Sequence, residues 1–239
     1  MNSKKYNYED FLEIIETLRS ENGCPWDRQQ THMSLRPCMA EEAAEVNAAI
    51  RILNETGSFE NLREELGDVL LQVVMHAQIA KEEGLFAMED VVSEVAEKMV
   101  RRHPHVFGNL SAKDSEEVLE NWEEIKKKEK EGKNQAAFPL REIPLELPAL
   151  TRAQKAIKKA DRLYEPQPGY REAARRIREA ADRLLACTPV DYDVEIQELS
   201  GDILMSLSRI AGICKLSQEQ ILADRTEDFI RRLEGPENR

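Results

Sequence analysis

Apolar residues recur three and four positions apart along almost the whole chain, and no stretch alternates as a half-buried strand would. The segment "LREELGDVLLQVVMHAQIA" (residues 62–80) is the clearest case. Such periodicity restricts the chain to helices packing on helices, so an all-α fold is expected. Aromatic residues make up only 5% of the 239 positions, and charged ones 33%, a balance that suits amphipathic helices.

The pattern divides into helices with recognisable ends. Phe11, Ile14, Ile15 and Leu18 mark the first, stopping near Gly23. A long helix is expected from Leu35 to Asn54, with Pro37 in its first turn, where the missing N–H does no harm. The next begins after Ser58 as its cap and runs to Glu83, before Gly84. Further helices fit 88–101 and 114–131, then 149–164, 170–187, 192–214 and 217–234. Between these sets, "NQAAFPLREIPLELP" (134–148) holds three prolines and breaks the pattern, which marks a linker.

The two sides of that linker echo each other. "GDVLLQVVMHAQIA" at 67–80 matches "GDILMSLSRIAGIC" at 201–214, and "EKMVRR" at 97–102 matches "EDFIRR" at 227–232. Two matches in the same order point to a duplicated helical unit, giving domains 1–133 and 149–239 joined by 134–148.

Net charge is −12, which argues against broad binding to nucleic acid or an anionic membrane. The four cysteines, Cys24, Cys38, Cys187 and Cys214, form no CxxC pair and no zinc spacing. Nor does the N-terminal "MNSKKYNYED" carry an apolar leader, and no run reaches membrane-spanning length. A cytoplasmic protein with reduced thiols is expected.

Within this frame, two pairs of acids are out of place. On the second long helix the apolar stripe reads Met39, Ala43, Val46, Ile50 and Leu53. Glu42 and Glu45 lie about 60° and about 120° to one side of Met39. On the next helix the stripe is Leu62, Leu66, Val69 and Val73, and Glu65 and Asp68 bear the same relation to Leu62. An ExxE and an ExxD at matched phase on consecutive helices would converge on one seam if the stripes pack together. Four carboxylates gathered there repel one another and resist desolvation, so a cation must compensate. All-oxygen ligands select Mg²⁺, with Mn²⁺ as a substitute, or Ca²⁺. Glu41 and Glu64 point further from the stripes. Gln72 and His76 continue the polar flank, though a lone His on such a helix is as a rule a hydrogen-bonded structural residue.

"EKMVRRHPHVFG" (97–108) concentrates Lys98, Arg101, Arg102, His103 and His105 in an otherwise acidic protein. Lys98 and Arg102, one turn apart, make a candidate clamp for a polyphosphate. In "NGCPWDRQQTH" (22–32), Trp26 offers a flat face to a base and Asp27 an acceptor.

Taken together, "CPWDRQQTHMSL", "EEAAEV", "EELGDVLLQVVMHAQIA" and "RRHPHVFG" resemble the MazG family of nucleoside triphosphate pyrophosphohydrolases. The resemblance is close over 8–130 and looser from 144 onward. It implies an all-α fold working as a homodimer, and Mg²⁺-dependent cleavage of an NTP or dNTP to the monophosphate and pyrophosphate. It further implies metal ligation by Glu42, Glu45, Glu65 and Asp68, one of these or Glu41 acting as base. Lys98, Arg101 and Arg102 would take the phosphate tail, with Trp26 and Asp27 near the nucleotide. The implied role is removal of aberrant or surplus nucleotides. A specialised dUTP, dCTP or phosphoribosyl-ATP pyrophosphatase is the neighbouring alternative; a silent nucleotide-binding helical dimer is the alternative of another class. In the second half the equivalents of Glu45 and Asp68 are Glu179 and Asp202, but Arg176 and Leu199 replace Glu42 and Glu65. That copy is expected to be degenerate.

Overall fold

The computed structural model describes residues 5–131, 138–188, 190 and 193–235. Among them it contains eleven α-helices, one 3-10 turn and no strand. Contacts divide the chain into two compact units, Met1–Glu129 and Lys130–Arg239.

The first unit is built from α1 (Tyr8–Arg19), α2 (Pro25–Gln29), α3 (His32–Thr56), α4 (Glu60–Glu82), α5 (Met88–Arg102), α6 (Pro104–Phe107) and α7 (Ser115–Glu131). Local chemistry sets the ends. Asn7 and Asp10 form a reciprocal capping box at α1, and Thr31 with Ser34 does the same at α3. Gly84 follows α4 with φ +72°, a left-handed turn that glycine adopts without strain. Gly23 is required for a different reason: a Cβ there would lie 2.3 Å from the carbonyl oxygens of both Thr17 and Leu18.

Several boundaries differ from the sequence expectation. Helix α3 starts at His32, so Pro37 is its sixth residue and leaves the Met33 carbonyl without its helical donor. The residue at the N-cap of α4 is Phe59; the hydroxyl of Ser58 instead donates to Glu60. Two short helices, α2 and α6, each begin at a proline in a stretch to which the sequence pattern assigns no helix.

Helices α3 and α4 pack as a hairpin across a three-residue connection, with α1, α2 and α5 around them. Ile15, Leu35, Val74, Met75 and Ile79 form the buried cluster, flanked by Phe11, Leu12, Leu18, Leu71 and Met88. The buried stripes run differently from the expected ones. On α3, Leu35 and Ala49 are buried and Met39, Glu42 and Val46 half-buried, whereas Ala43 is exposed and Ile50 is 49% exposed. On α4, Glu65 and Asp68 share the half-buried face with Leu62 and Val69, and Leu66 is 52% exposed. Both helices are apolar on two sides, so periodicity alone did not single out the inward one.

The second unit consists of α8 (Ala149–Leu163), α9 (Tyr170–Ala186), α10 (Val194–Ile213) and α11 (Gln218–Glu234). The α9–α10 hairpin packs on α8, and α11 contacts both α8 and α10. In the first unit, too, the second helix of the hairpin, α4, contacts the helix before it and the helix after it, α1 and α5. The start of the proline-rich stretch, 134–137, lies outside the described residues. Beyond it a 3-10 turn, Pro139–Glu142, rests on α8, where Lys159 donates to Pro139 and pairs with Glu142; Ile143 is buried.

Candidate functional site

The α3–α4 hairpin brings the acids together. Glu42, Glu45 and Glu65 each offer an oxygen within 4.8 Å of the others. Glu42, Glu65 and Asp68 are half-buried and Glu45 is exposed. Burial pushes the Glu42 carboxyl above its ordinary pKa, and the charges of Asp68, Glu45 and Glu65 push it further. Glu65 is raised in the same way, first by burial, then by Glu45, Asp68 and Glu64. No basic side chain among the described residues pairs with any of the four. A like-charged cluster of hard oxygens, partly out of water and without a protein counter-charge, fits a divalent cation. Glu41 is exposed.

On α4, Gln72 follows Asp68 by one turn and His76 follows Gln72 by another. His76 stacks on His32 of α3, with ring planes 4° apart and the two Nδ1 atoms at 2.8 Å. One ring must donate and the other accept, so at least one is neutral. Burial, then the charge of His32, lowers the pKa of His76. The pair ties the start of α3 to the middle of α4, a structural use of His76.

The basic cluster is divided. Lys98 is half-buried on α5 with no ion pair among the described residues. Arg101 and Arg102 both turn to Glu129 of α7, at 2.8 Å and 2.6 Å. Arg102 also lies 5.4 Å over the ring of Trp122, which meets His103 edge-on. The hydrogen bonds from Arg102 and Arg101 hold the Glu129 carboxyl down at about 2, from 4.5. A depressed carboxyl stabilises the fold fully above its unfolded pKa, and this is lost as pH falls through the folded one. Glu129→Gln is therefore expected to lower the melting temperature at pH 6–7, with the deficit closing between about pH 4.5 and pH 2. Thermal melts at stepped pH check it; a deficit constant to pH 2.5 would contradict the pairing.

Trp26 stands 62% exposed on α2, and the half-buried Asp27 follows it. What holds this loop escaped sequence reasoning. Arg19, at the last turn of α1, is buried and grips Glu82 of α4 through Nε and Nη2, while its Nη1 donates to the carbonyls of Asp27 and Gln30. In the sequence it resembles any cation at a helix C-terminus. Glu129 lies in a charge-alternating run and gave no signal either.

No such cluster occurs among the described residues of the second unit. Glu179 and Asp202 are exposed, Arg176 is exposed beside Glu172, and Leu199 is 2% exposed in the core. The buried positions of α9 are Ala173 and Ala180.

A bundle that sets Glu-x-x-Glu and Glu-x-x-Asp on facing helices belongs to the class of all-α proteins with carboxylate-lined sites between helices. Residues 30–107 match the family model described as the MazG nucleotide pyrophosphohydrolase domain. The nucleoside triphosphate pyrophosphohydrolase/pyrophosphatase MazG of Thermotoga maritima is 37% identical over 237 residues, covering 96% of this chain and 85% of that protein. The nucleoside triphosphate pyrophosphohydrolase of Escherichia coli K12 is 39% identical over 224 residues, 92% of this chain and 83% of that one. YabN of Bacillus subtilis, an uncharacterised protein, is 38% identical over 95% of this chain, which spans 45% of its length. The chain belongs to the MazG family of nucleoside triphosphate pyrophosphohydrolases. Among its described residues no helix is long and apolar enough to cross a membrane.

Proposed function

We infer that the chain hydrolyses nucleoside triphosphates to the monophosphate and pyrophosphate, with Mg²⁺, or Mn²⁺ in its place, held by Glu42, Glu45, Glu65 and Asp68. The observation that carries this reading is the carboxylate cluster: three oxygens within 4.8 Å, with no cation paired to them among the described residues. When bound, the cation would neutralise phosphate oxygens and activate water, the usual contribution of such ions to phosphoryl chemistry. The carboxylates fix where the phosphates sit. One of them, or Glu41, accepts the proton of the attacking water. Lys98 takes the phosphate tail together with Arg101 and Arg102, which must share or release Glu129 to do so. Trp26 and Asp27 lie at the nucleotide side. The role is removal of aberrant or surplus nucleotides in the cytoplasm.

Pyrophosphate release from a panel of NTPs and dNTPs, with Mg²⁺ and with chelator, tests the reading. Turnover is expected with Mg²⁺ and none with chelator. Release from dUTP, dCTP or phosphoribosyl-ATP alone would favour the specialised alternative. Binding without turnover of any nucleotide would make the chain a silent binder.

The outer sides of α3 and α4 support a homodimer. Ile50, Leu66 and Leu70 are 49%, 52% and 39% exposed on consecutive helices, large apolar side chains that a second copy would take out of water. Light scattering at micromolar concentration is expected to give twice the chain mass; a monomer there would overturn it. The second unit, with Leu199 and alanines on its packing faces, serves as a structural rather than a catalytic copy.

A further inference from the structure

Gln72 is a buried polar side chain without a partner. It is 6% exposed, and its Oε1 is out of solvent with no donor. A bare buried acceptor costs stability, and native structures that keep one commonly use it. Gln72 lies four residues beyond Asp68 and seven beyond Glu65 on the same helix, about 6 Å and about 10 Å along the axis. Long side chains on a helix lean back toward its N-terminus, so this carboxamide leans toward the acids. Four residues further on, the His32–His76 pair occupies the next turn.

Resting on the pyrophosphohydrolase reading, we propose that Gln72 binds the nucleoside part of the substrate, its carboxamide oxygen accepting from the ribose 2′-hydroxyl or a base N–H. The phosphate tail does not supply the missing donor, because its ionised oxygens only accept. The nucleoside attached to it does, and it sits within one helical turn of a phosphate placed at the acids. A buried group built to receive a hydrogen bond discriminates against ligands that leave it bare. Gln72 thus sets which nucleotide is preferred.

The test is Gln72→Leu in the full chain, with Gln72→Glu beside it. Removing a buried unpartnered oxygen is expected to leave the melting temperature of the Leu variant equal to or above wild type. Its kcat/KM for the preferred nucleotide is expected to fall about tenfold to a hundredfold, through KM. The ratio of preferred to disfavoured nucleotides then falls toward one. Calorimetric binding of the nucleoside monophosphates without metal is expected to weaken in parallel. Comparing ribo- with deoxyribonucleotides, and bases differing in N–H groups, tells which donor is read; either result supports the proposal. Unchanged selectivity overturns it in both forms. An equal loss for every nucleotide places Gln72 on water at the acids, and no loss makes it the holder of a permanent buried water. Failure of the activity itself is distinguishable. A wild-type protein that releases no pyrophosphate, yet binds nucleotides in a Gln72-dependent way, loses the enzymatic reading and keeps this one.

Discussion

Glu42→Gln is expected to reduce metal-dependent turnover at least about a hundredfold and, in metal-free protein at neutral pH, to raise the melting temperature. The two effects have one origin. Glu42 is half-buried among Asp68, Glu45 and Glu65, and burial and their charges raise its pKa. A carboxyl whose folded pKa is raised weakens the fold above that pKa, and the penalty fades as pH falls through it. The thermal gain of the variant should therefore be largest at pH 7–8 and shrink as pH falls toward the ordinary carboxylate range. Saturating Mg²⁺ reverses the order. A cation that binds only the folded wild type stabilises it by about 2.7 kcal/mol at a hundred times its Kd, and the variant gains little of this. Asp68→Asn should behave alike, since the Asp68 charge acts on both Glu42 and Glu65. Melts with and without Mg²⁺, paired with pyrophosphate release, check both halves. A variant with wild-type turnover, or a wild-type Mg²⁺ shift, would rule out the cage.

The carboxylates were legible because two pairs at equal phase on neighbouring helices leave few arrangements open once the helices pack. The side of the helix was not. Ala43, Ile50 and Leu66 completed apolar stripes that looked inward, yet the hairpin closes on Glu42 and Glu65 and turns Ile50 and Leu66 to solvent. Period 3.6 locates a face, and a helix apolar on two faces gives no reason to choose. The surface left over is the one we propose a second copy covers. Long-range polar contacts were likewise hidden. Arg19 reaches Glu82 across 63 positions, and Arg101 and Arg102 reach Glu129 across 28 and 27. Nothing local in any of these residues distinguishes an anchored cation from a solvated one.

The two units share one polar device. Arg209 of α10 pairs with Asp161 of α8, and donates to the carbonyls of Gln167 and Pro168 in the loop between α8 and α9. In the first unit the arginine is on α1 and the acid on α4, but the grip on the connecting loop is the same. The order of the charges differs while the mechanical task is the same. Of the four seam acids, those aligned with Glu45 and Asp68 remain as Glu179 and Asp202, while Arg176 and Leu199 stand at the positions aligned with Glu42 and Glu65. Exchanging two of the four carboxylates for an arginine and a leucine relieves repulsion at the seam and removes hard oxygens that an ion would need.

Arg19→Ala is the substitution with the largest expected cost to stability. Its side chain is 4% exposed and makes charge-assisted bonds at 2.7–3.2 Å to both oxygens of Glu82, and bonds of 2.6 Å and 3.2 Å to the carbonyls of Asp27 and Gln30. Truncation leaves those carbonyls without their donor and opens a gap where the guanidinium sat. Glu82 is 37% exposed, so water recovers part of the lost pairing and the cost stays below that of breaking a fully buried pair. The expected loss is about 3 kcal/mol, or roughly 6–12 °C in the melting of the first unit. Arg19→Lys keeps the charge without the fork, and should recover less than half. Because the grip fixes the loop carrying Trp26, the variant is expected to raise KM for nucleotides at temperatures where the fold is intact. Thermal melts of both variants, with KM measured well below the transition, test this. A loss under 1 kcal/mol would mean that Arg19 covers the loop without holding it.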